Sequence, residues 1–234
     1  MTEQNPLLDF TGLPRFAAIK AEHIAAAVDS LLAENRACID RLTRAETQAS
    51  WVAFVAPLED ASERLARAWG VVGHLHGVLD SPELRAAYNA NQPKIVQYYT
   101  ELGQNLELFE KYKALRASAE FAALAQAQRR IVDNEIRDFR LSGAELSADR
   151  KLRFAAISEE LAHLGTKFSE NLLDATNAYA LYVEDRSELA GIPEDVIATA
   201  RAAADKDGKS GWKFSLQAPS YVPFMQYAEK RELR

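Results

Sequence analysis

Only one cysteine, Cys38, and four histidines occur in the 234 residues of this chain. A single cysteine excludes an internal disulfide framework and suits a reducing compartment. Four scattered histidines leave little material for a conventional zinc site. Long apolar runs are also missing: no window holds about 20 uninterrupted apolar residues, so a membrane span is not expected. The opening MTEQNPLLDF has neither a basic leader nor a long apolar segment, which makes the cytoplasm the expected location. Positive charge is not in excess. Lys and Arg number 28 against 34 Asp and Glu, for a net charge of −6, and a nucleic-acid role has no broad basic field behind it. No serine sits in GxSxG and no GxxxxGK[ST] run occurs, so neither a nucleophile elbow nor a P-loop is encoded.

What is present is helical periodicity in a chain that is 48% hydrophobic, long enough for one large or two small domains with a substantial core. Residues 1–20 contain Pro6, Gly12 and Pro14 and read as an irregular arm, with Leu7, Leu8, Phe10, Leu13, Phe16 and Ile19 lying against the body. A helix is expected from Ala21 to about Leu42, with Cys38 in the Ile24–Val28–Leu31–Leu42 stripe as a buried structural thiol. A second runs from Ser50 to Leu79, with Pro57 marking a kink or an early turn. Its Gly70, Gly73 and Gly77 follow no strand and are expected to permit close helix packing. Ser81-Pro82-Glu83 is a restart signal of N-cap, N1 proline and first-turn acid. The helical spacing beyond it is expected to break at Pro93 and Gly103. A further helix is expected from about Ala119 to Phe139.

Ser142 and Gly143 then end one run, and Ser147 opens a long helix. On it Phe154, Ile157, Leu161, Leu164, Phe168 and Leu172 recur at intervals of 3 and 4. Such a stripe is expected to be covered by other helices. Glu159, Glu160, His163, Lys167 and Glu170 fall mostly on its solvated side, with a groove-lining role as the alternative. After Thr176 the pattern changes. Tyr179–Val183 and Trp212–Leu216 have strand character, with a short helix from Gly191-Ile-Pro193 to Ala204 between them and a 207–211 loop before the second. The edge of this small unit is able to accept an extended peptide or to dock on other parts of a longer protein. Pro219, Tyr221 and Pro223 lead into a final helix, VPFMQYAEKRELR. The charged run reaches Arg234 with no helix-stop signal, so the chain is expected to be truncated there.

Three widely separated words carry a resemblance: FRLSGAEL from Phe139, KFSENLLDAT ending at Thr176, and APSYVPFMQYAEKRELR at the end. The opening NPLLDFTGLPRFAAIKAEHIAAAV agrees with them. The chain resembles the N-terminal helical part of the oligopeptidase A and thimet oligopeptidase family of zinc metallopeptidases (peptidase family M3). That resemblance implies a mainly α-helical fragment of a longer enzyme, a bundle of long helices with a small two-strand and helix appendage. The expected divisions are an arm at 1–20, a bundle at 21–176, and a strand–helix–strand segment with the start of a further helix at 177–234, continuing into an absent catalytic region. It implies that the helical domain forms one wall of a channel admitting short peptides, and that the partners are those peptides and the catalytic region of the same polypeptide. Neither nucleic acid nor membrane is an expected partner.

Such an enzyme would bind zinc through HExxH, two histidines one helical turn apart with a glutamate to activate water. The words following the histidines here are HIAAA, HLHGV, HGVLD and HLGTK, and none fits. No catalytic, cofactor-binding or metal residue is assigned in this chain, and Zn2+ is expected only in the absent region. The chain alone is expected to be inactive. His74 and His76 form an HxH pair, but helix neighbours two apart diverge by about 200°, so a packed His76 outweighs a ligand. His23 and His163 read as surface or groove residues. Tyr88, Tyr98, Tyr99 and Tyr112 are candidates for a peptide groove, with core packing the stronger reading. Arg231 and Arg234 are either interface residues or an exposed end. The alternative function is a stand-alone helical peptide-binding or structural interaction module without catalysis.

Overall fold

A computed structural model describes residues 5–234; the first four residues of the expected arm lie outside that range. Contacts group the chain into two compact units, the first ending at Ala162 and the second spanning His163–Arg234. The fold is mainly α-helical, with a two-stranded appendage near the end.

In the first unit, Asn5 caps a 3-10 turn at Pro6–Leu8 and donates to the His23 carbonyl. Leu7 is buried, Leu8, Phe10 and Ile19 pack partly against the core, and Leu13 is 92% exposed. Helix α1 spans Glu22–Thr43. Its Ile24, Val28, Leu31 and Leu32 join one hydrophobic cluster, and its Cys38 and Leu42 join another. The next helix opens through a π-helical turn at Trp51–Val55, where Ser50 Oγ accepts from the Ala53 N–H. Glu120 Oε1 accepts the Trp51 N–H at 2.9 Å. The helix then continues as α2, Ala56–Val78, with Pro57 in its first turn. Because the π-helical turn runs directly into α2, Pro57 lies within a continuing helical run, and its missing N–H leaves one backbone bond unmade at that junction. Gly70, Gly73 and Gly77 do not provide the close packing expected of them: a Cβ on any of the three would meet open space.

Helix α3 covers Pro82–Gly103, capped by Ser81, whose Oγ accepts from Leu84. The expected break at Pro93 does not occur. Buried Leu84 and Asn91 before the proline and buried Ile95 and Tyr98 after it anchor both halves, and this packing outweighs the lost backbone bond. Gly103 does end the helix. Asn105 caps α4, Leu106–Ala117. The single helix expected from Ala119 to Phe139 is instead two, α5 at Ala119–Ala123 and α6 at Gln126–Leu141. Gln128 Oε1 accepts the Ala125 N–H, and the Arg129 guanidinium takes the Ala122 and Leu124 carbonyls. Side chains thereby satisfy the backbone groups released at the break. Gly143, at φ 86°, turns the chain after α6, a conformation that only glycine adopts without strain.

Helix α7 spans Ala148–Ala178 and contains no buried residue. Covering of its apolar stripe by other helices is therefore not what the structure shows. Phe168 is 70% exposed, Leu161 64%, Leu172 58% and Leu164 51%.

In the second unit, β1 (Leu181–Val183) pairs antiparallel with β2 (Trp212–Phe214), setting Tyr182 opposite Lys213. Helix α8, Glu194–Lys206, lies between them in sequence. Val183, Leu189, Ile197, Phe214 and Phe224 make its core. Gly211 has φ 82°, and a Cβ there would collide with the Val183 carbonyl oxygen. The last helix, α9, begins earlier than expected, at Ala218, and ends at Tyr227. Pro219 sits in its first turn, the position that proline favours. The charged end is not helical: Ala228 is extended, and a 3-10 turn at Arg231–Leu233 follows. Among the described residues no helix is long and apolar enough to cross a membrane.

The polar pair inside the first cluster ties α1 to α3. Buried Tyr98 donates to Asn35 Oδ1 at 3.0 Å, and Asn35 Nδ2 donates to the Leu31 carbonyl. Tyr98→Phe strands the Asn35 oxygen and should cost about 1–3 kcal/mol, read as a lower urea midpoint. Adding Asn35→Leu should recover part of that loss.

Candidate functional site

The histidines and the cysteine occupy separate surroundings. His76 stacks on Tyr88 with centroids 4.3 Å apart, and Tyr88 stacks on Trp69 at 4.8 Å. His76 Nε2 lies 3.8 Å from Asp80, which also takes a 2.5 Å bond from Arg85. His74 instead meets Phe16 edge-on. The two imidazoles thus point into different surroundings. His23 Nδ1 accepts the Lys20 N–H, and His163 is exposed. Cys38 is buried; its Sγ donates to the Pro57 carbonyl and accepts from Arg41. Among the described residues no three His, Cys, Asp or Glu side chains converge where a metal ion would sit. These residues do not fit zinc.

The tyrosines separate. Tyr98 and Tyr112 are fully buried core residues, Tyr88 belongs to the aromatic stack, and Tyr99 is 39% exposed. Of the polar positions on α7, Glu159 lines a groove and Glu160, His163 and Lys167 face solvent. Arg231 and Arg234 are exposed.

Among the described residues are grooves that sequence spacing did not reveal, two of them lined by polar groups of α7 or of the second unit. In the first unit, a cavity of about 340 Å³ lies beside α3 and α7, lined by Val96, Gln97, Thr100, Gln104, Lys151 and Glu159 among others. Lys151 Nζ donates to the Gln104 carbonyl at 3.0 Å at its edge. In the second unit, a larger groove of about 710 Å³ is bordered by Tyr179, Thr199, Asp207, Lys213, Gln217 and Pro223 among others. Asp207 Oδ2 accepts from Lys213 Nζ at 2.5 Å and from the Tyr182 hydroxyl at 2.7 Å. Those bonds, the lysine's first, hold the Asp207 carboxyl below the usual range, and the same contact raises Lys213. Both groups therefore stay charged at neutral pH. An ion pair closed on itself in this way binds and orients; it has no proton to trade near pH 7.

A cluster of groups whose neutral form burial favours lies elsewhere, on α2, α4 and α6. Burial raises Glu59, with Asp60 adding to it. Glu135 is pushed up to about 7, chiefly by desolvation, then by Glu59 and Asp138, against the pull of Arg137. The Tyr112 hydroxyl is raised by burial and by both glutamates, and it finds no hydrogen-bond partner among the described residues. Neither groove is lined by Glu59, Glu135 or Tyr112.

The architecture is mainly helical, and among the described residues no cluster of three metal-ligating side chains accompanies it. A family model described as "Neurolysin/Thimet oligopeptidase, N-terminal domain" matches residues 28–151, more than half of the chain. Oligopeptidase A of Haemophilus influenzae is 42% identical over 234 residues, covering 100% of this chain and 34% of that protein. Oligopeptidase A of Salmonella typhimurium is 39% identical over 230 residues, 98% of this chain and 34% of that protein. The probable cytosolic oligopeptidase A of Arabidopsis thaliana is 37% identical over 237 residues, with 98% and 34% covered. The chain belongs to the neurolysin/thimet oligopeptidase N-terminal domain family. It spans about a third of the length of these curated relatives.

The buried carboxyl gives a pH-dependent prediction. A folded-state value raised above the ordinary one means that protonated Glu135 stabilises the fold, fully below the usual carboxylate range, and that this is lost as pH rises through about 7. Glu135→Gln should therefore flatten the fall in stability between weakly acidic and neutral pH. At neutral pH it should gain about 1–2 kcal/mol, allowing for solvent around a partly exposed group. Urea titrations at several pH values check this.

Proposed function

We propose that this chain is the substrate-channel part of a zinc-dependent oligopeptidase that hydrolyses short peptides in the cytoplasm. The observation that carries the reading is the 42% identity to an oligopeptidase A along the whole 234 residues. The role assigned to this region is selection rather than bond cleavage. A helical wall restricts entry to extended peptides, because a folded protein entering a narrow channel would have to give up many of its own contacts. The grooves offer what an extended peptide needs: apolar floor from Val96 and Pro223, and polar edge groups from Gln97, Thr100, Lys213 and Gln217. Zinc belongs to this reading only through residues outside the chain. The catalytic region of the same polypeptide is then the partner of this one, and neither nucleic acid nor membrane is a partner. The lone, buried cysteine supports the cytoplasmic setting.

A hybrid tests the reading. This chain replaces the matching third of the Haemophilus influenzae relative, and cleavage of a short internally quenched peptide is followed. The hybrid should hydrolyse the peptide, lose that activity on chelation and regain it with Zn2+, while the 234-residue chain alone should show none. A folded but inactive hybrid, or chelator-insensitive activity, would reject the assignment. Micromolar affinity of the isolated chain for the same peptide, together with an inactive hybrid, would favour the stand-alone binding module.

A further inference from the structure

The most conspicuous unused feature is the apolar face of α7. At 100° per residue, Phe154, Ile157, Leu161, Leu164, Phe168 and Leu172 form one stripe. The contacts that seat the first half of the helix use a different side. Lys151 Nζ donates to the Gln104 carbonyl, Gln92 Nε2 donates to the Ala162 carbonyl, and Lys151, Ala155 and Glu159 line the groove beside α3. Those positions centre roughly 130° around the helix axis from the stripe. The stripe is thus not a core face left loosely packed. It is a second face, from Ile157 to Leu172 exposed at every one of its large residues, amounting to several hundred Å² of contiguous apolar surface.

Its borders have a chemistry of their own. On one side Arg153, Glu160, Lys167 and Asp174 follow each other every seven residues with alternating sign. On the other lie Ser158 and Gly165, and a Cβ on Gly165 would meet nothing within 4 Å. Small residues at a border let a second backbone approach closely. A 3-and-4 apolar spacing between a charged and a small border is the mating surface for another amphipathic helix.

We propose that the α7 stripe is the docking seat for an amphipathic helix from the polypeptide that lies beyond this third in the longer relatives. This rests on reading the chain as the N-terminal part of such a protein. The length of the relatives selects this occupant: the chain matches 34% of the Haemophilus influenzae protein, so about two thirds of that polypeptide is available to cover such a face. A covering segment on the same chain also acts at high effective concentration, which a second molecule does not. The docking helix should carry its own 3-and-4 apolar stripe, bordered by charges alternating in the opposite sense to Arg153, Glu160 and Lys167.

Thiol labelling reads this directly. Leu161→Cys and Phe168→Cys are made in the 234-residue chain and in the hybrid described above, each with His163→Cys, on the opposite side of α7, as control. Buried Cys38 is replaced by Ala throughout. In the 234-residue chain the introduced thiols should label at the rate of an exposed thiol. In the hybrid, Leu161→Cys and Phe168→Cys should slow by about ten-fold or more, while His163→Cys should not change. Equal labelling in both proteins would overturn the proposal. So would protection that appears in the 234-residue chain as its concentration rises, because the occupant would then be a second copy. Peptide hydrolysis is scored separately: protection without hydrolysis keeps the docking seat and removes the oligopeptidase reading, and hydrolysis without protection does the reverse.

Discussion

Helix α1 serves two hydrophobic clusters at once, and the body of the first unit depends on that sharing. Its first turns give Ile24, Val28, Leu31 and Leu32 to the cluster built with α2 and α3, and its later turns give Cys38 and Leu42 to the one built with the start of the α2 run, α4 and α6. A 22-residue helix has little stability alone in water. Two cores in series along one helix fix its length and direction, and the helices packed on it inherit their positions. The buried Asn35–Tyr98 bond lies near the middle of α1. An alternative register between α1 and α3 would leave these polar groups unpaired, so the bond discriminates between registers. The surface ion pairs Arg36–Glu101, Arg64–Glu34 and Lys94–Asp29 join the same helices. Exposed as they are, they add little to the energy.

How far residues could be read without coordinates depended on whether their signal was local. Ser81 opens α3 where its capping chemistry places it, because an N-cap needs only its own next three residues, and Ser50 stands where its helical run was expected to start and caps it. The two short strands and the helix between them were legible for the same reason. Pro93 departs from the local expectation because its tolerance is decided by the core that Ile95 and Tyr98 join, information that the local pattern lacks. The gap at Leu124–Ala125 carries no glycine or proline and is held by Gln128 and Arg129 reaching back, which spacing alone does not announce. Pro219, expected to precede the last helix, lies in its first turn. Of the candidate site, the fates of Tyr98, Tyr112, His74 and His76 followed from helical geometry. The two grooves did not, since each forms where residues distant in sequence meet.

The distribution of charge follows the same division of labour. Asp207, Lys213 and Tyr182 neutralise one another at the larger groove, giving it fixed polarity. Glu59 and Glu135 sit where burial disfavours their charge, and they do so in the body, away from both grooves. Perturbed carboxyls often mark reactive centres, but that inference requires access for a substrate. Here the carboxyls whose charge burial disfavours do not line the grooves, while the pair at the larger groove is held charged.

Helix α7 shows why amphipathic pattern and burial are separate facts. The pattern states that one face is unfavourable in water; it does not state which partner relieves it. Along α3 the helix is seated by Lys151, Ala155 and Ala162, small or long-stemmed residues that allow close approach while keeping charge at the edge. Had the body been meant to receive the apolar stripe, the small residues would be expected opposite it. They lie on the inner side, and the large apolar residues from Ile157 to Leu172 lie on the outer. The two faces are therefore specialised for different neighbours. With no fully buried side chain among its 31 residues, α7 gains only partial burial from its seat along α3, and its outer face is where further burial would add most.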